Sequence, residues 1–72
     1  AVYPIGAVVR LNTGDIGVVM HVEMGEQTRP KIRLIMDKHR RLYPKGVELD
    51  MRNHLTVLID QVVDGRELFT LI

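Results

Sequence analysis

Residues Tyr3–Val22 read YPIGAVVRLNTGDIGVVMHV, two runs rich in valine and isoleucine around the break Asn12-Thr13-Gly14-Asp15. β-Branched residues suit a pleated, half-buried surface. An Asn/Gly/Asp cluster between two such runs predicts a hairpin, with Gly14 taking the positive φ that a side chain would oppose. In the first run, Ala7, Val9 and Leu11 share one face, and Val8 and Arg10 the other. In the second, Ile16, Val18, Met20 and Val22 point one way and Gly17, Val19, His21 and Glu23 the other, and Val19 is read as outward. Both runs have the period of two that defines a strand. Gly17 inside a strand predicts a bulge or a close backbone approach.

Working outward, Tyr3-Pro4-Ile5-Gly6 is a linker-like lead-in (residues 1–6), with Pro4 pushing Tyr3 towards an extended conformation. Met24–Pro30 is a polar loop. Lys31–Met36 alternates again, with Ile32, Leu34 and Met36 inward and Lys31 and Arg33 outward. Asp37–Gly46 is a basic loop, and Val47–Met51 a short fourth strand with Val47, Leu49 and Met51 inward. Residues 52–55 could form a single helical turn. Thr56–Val63 is a fifth strand whose run Val57-Leu58-Ile59 implies burial on more than one side. The tail, residues 65–72, is a sixth strand or a short helix.

Five or six short strands with turn signals every 8–12 residues indicate an all-β sandwich or barrel. In a chain of 72 residues, a closed barrel removes exposed edges most economically. The expected fold is therefore a small antiparallel SH3-like barrel of one domain, residues 1–72, with an OB-like barrel second. The chain has no cysteine, so neither a disulfide nor a thiolate metal site can staple it. A domain of this size buries only about 60% of its unfolded surface. The apolar share of 46% nevertheless suffices for a core. Net charge is +1, which gives no general attraction to nucleic acid or anionic membrane. No run of about 18 apolar residues occurs and no basic-then-apolar leader is visible. A cytoplasmic protein without a membrane partner is expected. The chain begins at Ala1 in mid-pattern and reads as a piece of something longer.

His21, His39 and His54 lie on a strand, in a loop and at a corner, without the convergent spacing that catalytic zinc requires. They read as ordinary histidines, and neither a metal nor a cofactor is expected. Glu48 and Asp50 share a strand face, but general acid–base work needs a cleft and a shifted pKa, so they read as a solvated face. With no serine or cysteine, and without GxSxG, a Walker loop or GxGxxG, the chain reads as non-catalytic.

One asymmetry stands out. Of ten lysines and arginines, seven lie between Arg29 and Lys45: Arg29, Lys31, Arg33, Lys38, Arg40, Arg41 and Lys45. Only Asp37 opposes them there. Arginine forks match phosphate oxygens, so this basic edge is the candidate site for an anion or a partner. Arg29 and Arg33 form the RxxxR half of the cyclic di-GMP signature of PilZ-type barrels. The other half, (D/N)xSxxG, is missing, and Asn12-x-Gly14-x-x-Gly17 is only a weak echo in reversed order. RNA binding would need stacking aromatics, for which Tyr43 is the one candidate within the loop. A solvated edge that blocks aggregation and a docking face for an acidic domain are the competing readings. Self-association through Val8, Val19, Ile35 and the apolar tail LFTLI at residues 68–72 is a further one.

The opening stretch also resembles the segment that follows the catalytic domain in bacterial HD-GYP proteins, which reads YP(V/I)G(S/T)xVxLNTGExGVVxxV. Tyr3, Pro4, Gly6, Val9, Leu11, Asn12, Thr13, Gly14, Ile16, Gly17, Val18, Val19 and Val22 match, with Asp15 where glutamate is usual. Arg29-Pro30 followed by Ile32, Leu34 and Met36 resembles that family's next strand. Glu48-Leu49-Asp50 and Leu55-Thr56-Val57 resemble its ending, so the likeness spans residues 2–64. HD-GYP proteins are metal-dependent phosphodiesterases that hydrolyse cyclic di-GMP, with metal ligands in an upstream helical domain. The chain has neither an HD pair nor a GYP triplet, so no catalytic residue carries over. The resemblance implies a C-terminal accessory or regulatory β domain that packs against, orients or oligomerises the catalytic domain.

Overall fold

A computed structural model describes residues 3–64 and 66. Among them are five strands: β1 (Val8–Leu11), β2 (Ile16–His21), β3 (Lys31–Met36), β4 (Glu48–Asp50) and β5 (Ile59–Val63), with a 3-10 turn at Met51–Asn53 between the last two. They form one antiparallel sheet in the order β4-β3-β2-β1-β5. The all-β, antiparallel expectation holds. The β1–β2 hairpin closes as its sequence dictates, with Gly14 at φ +92 and the Gly14 amide donating to the Leu11 carbonyl at 2.9 Å.

Closure differs from the expected barrel. Among the described residues no ladder joins β4 to β5, and the sheet stays open. The gap is spanned by the 3-10 turn and by residues 54–58. The reason is local: β4 is only three residues long, and Asp50 ends it by capping the turn, its Oδ1 accepting from the Arg52 amide at 3.0 Å. The turn thus occupies 51–53 rather than 52–55. It moves residues 54–58 out of strand geometry, so β5 begins at Ile59 rather than Thr56. Leu58, expected to be buried, is 52% exposed, while Val57 beside it is in the core.

The main core comprises Val9, Leu11, Val19, Ile32, Leu34, Met51 and Val57, with Tyr3, Ala7, Val22, Tyr43, Val47, Leu49 and Ile59 packed around it. Ile16, Met36 and Val63 are also buried but stand outside that cluster. Val19 is therefore inward, fully buried, and not on the outer face. Both faces of β2 are apolar, so alternation alone could not choose between them. Gly17 decides it. A Cβ on Gly17 would lie 2.7 Å from the Arg33 carbonyl and would collide with the Ile32 side chain. Gly17 lets Ile32 settle onto the backbone, which makes the Gly17/Val19 side of β2 the core side. The β2–β3 register shifts at Ile16/Gly17, as expected for a bulge, and again between Val19 and His21. After this second shift Val22 returns to the core. With Val19 buried and Val8 and Ile35 half-buried, the strand residues expected to mediate self-association do not form an exposed apolar face.

Residues 3–6 are tied to the sheet. The Gly6 amide donates to the Val19 carbonyl at 2.8 Å, the Ala7 amide to Pro4 at 3.0 Å, and the Val19 amide to Ala7 at 2.9 Å. Apart from Arg66, the tail lies outside the described residues.

Candidate functional site

The seven basic side chains of residues 29–45 fall into three groups. Arg29 is the first. Arg29 ends the β2–β3 connection in a bend, its amide donating to the Glu26 carbonyl at 3.1 Å, and is followed by the fully buried Pro30. Nη1 donates to the carbonyls of Met51 at 3.3 Å and Val57 at 3.2 Å, and Nη2 to that of Leu55 at 3.2 Å. Three carbonyls of the segment that bridges β4 to β5 thus converge on one guanidinium, whose planar fork offers several fixed donors.

Lys31 and Arg33 form the second group, on the face of β3 next to the β4 edge. The register places Lys31 opposite Asp50 and Arg33 opposite Glu48, and Arg33 Nη2 lies 3.6 Å from Glu48 Oε2. Arg33 Nε is buried without a partner. Asp50 is held mainly by Arg52, at 2.7 Å between Nη2 and Oδ2. The Arg52 guanidinium and then its amide pull the Asp50 carboxyl down to about 2, and Asp50 in turn raises Arg52. Glu48 and Asp50, the carboxylates considered for catalysis, therefore neutralise neighbouring cations.

The third group sits on a rigid tip. Asp37 Oδ1 accepts from the amides of His39 at 2.8 Å and Arg41 at 3.0 Å. The Asp37 amide donates to the Arg41 carbonyl at 2.8 Å, and the Arg40 amide to the Asp37 carbonyl at 3.0 Å. The Arg41 amide, then that of His39, hold the Asp37 carboxyl below the usual range. The turn closes with Arg40 at φ 64, a conformation uncommon outside glycine, asparagine and aspartate. Lys38, His39, Arg40 and Arg41 all project into solvent, and Lys45 is exposed beyond Pro44. Among the described residues no ion pair engages Lys38, Arg40, Arg41 or Lys45.

The tip is braced against the hairpin. Tyr43 donates its hydroxyl to Asp15 Oδ1 at 2.8 Å, and Thr13 donates to Asp15 Oδ2 at 2.6 Å. The hydrogen bond to Asp15, with some burial, pushes the Tyr43 phenol up to about 12. Tyr43 packs against the core, so it is not a free stacking platform. Neither charge nor spacing signals that Asp15, Asp37 and Asn12 organise the region. Asn12 donates to the Thr56 carbonyl at 2.9 Å and accepts from the Leu58 amide at 3.1 Å. Their one visible signal is residue type, since Asn and Asp favour side-chain bonds to nearby backbone.

The described residues enclose no ligand pocket and contain no group of three or more His, Asp or Glu side chains able to hold a metal ion. His21 pairs with Glu23 at 2.9 Å. Among the described residues no helix is long and apolar enough to cross a membrane.

The described residues thus form a small open β-sheet with a braced cationic tip. The family model for the KOW domain associated with HD domain matches residues 8–71, and the chain belongs to that family. No curated protein and no solved structure matches it.

Proposed function

We propose that this domain is the C-terminal accessory module of a bacterial, cytoplasmic HD-GYP-type cyclic di-GMP phosphodiesterase, where it packs against the catalytic domain and sets its orientation. The observation that carries this reading is membership over residues 8–71 of a family defined by association with an HD domain. The likeness of Tyr3–Val22 to the segment following HD-GYP catalytic domains supports the finer assignment. On this reading the chemistry belongs to the HD domain and its metal, and the β module contributes contacts only. The test is hydrolysis of cyclic di-GMP by the parent protein with and without residues 3–66. The expected result is hydrolysis whose rate changes at least severalfold on deletion. A parent that leaves cyclic di-GMP intact overturns the substrate, and an unchanged rate overturns the accessory role.

The cationic tip favours a second reading, a module that binds a nucleotide or RNA through Lys38, Arg40 and Arg41, with Lys45 and the partly paired Lys31 and Arg33 as flanking contacts. Arg29 would serve it only indirectly, because its donors already hold backbone carbonyls. Titration of the chain with cyclic di-GMP and with short RNA at two salt concentrations tests this. Binding that weakens with salt and disappears in Arg40→Ala/Arg41→Ala supports it, and flat titrations remove it.

A further inference from the structure

The backbone that carries the tip's cations is fixed in place. Residues 37–41 close on themselves through the Asp37 amide and the Arg41 carbonyl at 2.8 Å, and the Asp37 carboxylate accepts from the amides of His39 and Arg41. A bridge between Met36 and Leu42 secures the base of this turn, and the Tyr43 amide donates to the Ile35 carbonyl at 2.8 Å. Two contacts seat the turn on the β1–β2 hairpin. One is the hydrogen bond from Tyr43 to Asp15. The other is at Gly14, where an added Cβ would lie 2.6 Å from the Lys38 Cβ, so the base of the lysine stem rests on the bare glycine. Lys38, Arg40 and Arg41 therefore leave a turn that is already ordered, and ordering is one of the main costs of binding.

Guarding a sheet edge is not what these charges do. Edge charges sit on an unpaired strand, whereas β3 lies between β2 and β4 and the tip extends past its end. Nor does the domain neutralise them. Asp37 is the one acid among residues 37–45, against Lys38, Arg40, Arg41 and Lys45, and among the described residues none of the four has an ion-pair partner. Asp15, the acid that reaches the tip from the hairpin, has its two oxygens bonded to Tyr43 and Thr13.

The chemistry of the tip favours a protein over a nucleic acid. Recognition of bases uses stacking rings, but Tyr43 packs against the core and the described residues enclose no pocket for a nucleotide. Leu42, directly after Arg41, is 62% exposed. Arginine beside apolar surface is the composition of protein contacts, while a phosphate backbone offers a leucine little to bury against.

We infer that the tip, through Lys38, Arg40, Arg41 and Leu42, docks on a carboxylate-bearing surface of the HD domain. This inference rests on the accessory reading above and names the surface and the chemistry it uses. Family membership supplies the partner, and the unpaired cations set the sign of charge that it presents. Arginine and carboxylate pair through two parallel hydrogen bonds, which adds geometric specificity. Charge complementarity fixes register more than it adds affinity, as suits a contact that orients a catalytic domain.

Zero-length carbodiimide coupling in the full parent protein tests this, because it joins a lysine to a carboxylate only where the two touch. Linked peptides are identified by mass spectrometry. Lys38 is expected to be joined to an aspartate or glutamate of the HD domain, with a yield independent of protein concentration. Arg40→Asn with Arg41→Glu removes one tip charge and reverses another, and asparagine suits the positive φ at residue 40. The yield at Lys38 is expected to fall at least about threefold in this variant, with an unchanged thermal midpoint showing that the fold is intact. Raised salt on the unaltered protein is expected to lower the yield in the same direction without any substitution. A missing link from Lys38 to the HD domain overturns the inference, as does a yield that neither the variant nor salt moves. A yield that falls on dilution assigns the tip to a second copy and overturns it. Binding of short RNA that weakens with salt and needs Arg41, with no link to the HD domain, assigns the tip to phosphate and also overturns it. The accessory reading fails on its own measurement, an unchanged hydrolysis rate after deletion, whatever the coupling pattern.

Discussion

Replacing Arg29 with methionine tests whether one side chain holds the open sheet together. Methionine keeps much of the aliphatic stem and removes the guanidinium. Two of the three hydrogen bonds, to Met51 and Val57, are part-buried and the third, to Leu55, is exposed. At about 1 kcal/mol net for each part-buried bond and less for the exposed one, the loss is roughly 2–3 kcal/mol. Losing the Arg29 donor from the part-buried Val57 carbonyl pushes the cost towards the upper end of that range, while the Met51 carbonyl keeps the His54 amide at 3.3 Å. A domain of this length has a total stability of about 4–11 kcal/mol, so the change is a large fraction of the whole. It corresponds to a fall of roughly 10–20 °C in thermal midpoint. Thermal and urea unfolding followed by circular dichroism measure it. Arg29→Lys separates charge from geometry: one ammonium cannot reproduce the fork across three carbonyls, and it is expected to recover less than half of the loss. A cost below about 0.5 kcal/mol for Arg29→Met, in the range of ordinary surface substitutions, would refute the idea that this arginine replaces the missing β4–β5 ladder.

Gly17→Ala places a Cβ 2.7 Å from the Arg33 carbonyl, and is expected to cost about 1–3 kcal/mol by overpacking in the same unfolding assay. Asp37, Asp50 and Asp64 all have carboxyls below their ordinary value of 3.8, Asp50 at about 2 through Arg52. Depressed acids stabilise above the unfolded value and lose that contribution as pH falls through the folded one. The thermal midpoint is therefore expected to drop between pH 4 and pH 2, and Asp50→Asn should make that drop shallower. Tyr43 works in the opposite sense. Its phenol is raised to about 12 by Asp15, so its contribution is complete below pH 10 and lost as pH rises towards 12. Ultraviolet difference titration should find Tyr43 ionising near pH 12, and Asp15→Asn should bring that ionisation down.

Local patterns were legible where a single face or turn was at stake. The Asn12–Asp15 hairpin, the inward set Ile32, Leu34 and Met36, and the backbone approach at Gly17 follow from residue type and spacing. Three features did not, each for a physical reason. The inward face of β2 depends on a missing side chain at Gly17 and its fit to Ile32, a contact between strands that alternation within one strand cannot reveal. The exposure of Leu58 follows from Asp50 capping the 3-10 turn, which ends β4 early and shifts everything to Ile59. Arg29 belongs by composition to a basic patch, but its acceptors are main-chain carbonyls more than twenty residues away, and any residue type supplies a carbonyl. The candidate site was thus visible as a charge cluster, while its division into a clasp, a paired ladder and an exposed tip required coordinates.

The Arg29 clasp also determines which conditions can undo this fold. A guanidinium does not lose its proton in proteins, and its acceptors here are neutral amide oxygens. The seam therefore has no acid or base limb of its own, and moderate salt, which weakens pairs between exposed charges, leaves it closed. What can undo it is a rival donor. Free guanidinium ion carries the same planar donor array, so guanidinium chloride competes directly for those carbonyls while urea does so with a neutral amide. The ratio of the two denaturants' midpoints should shift when Arg29 is replaced, which makes that ratio a measure of the clasp in any relative that carries it.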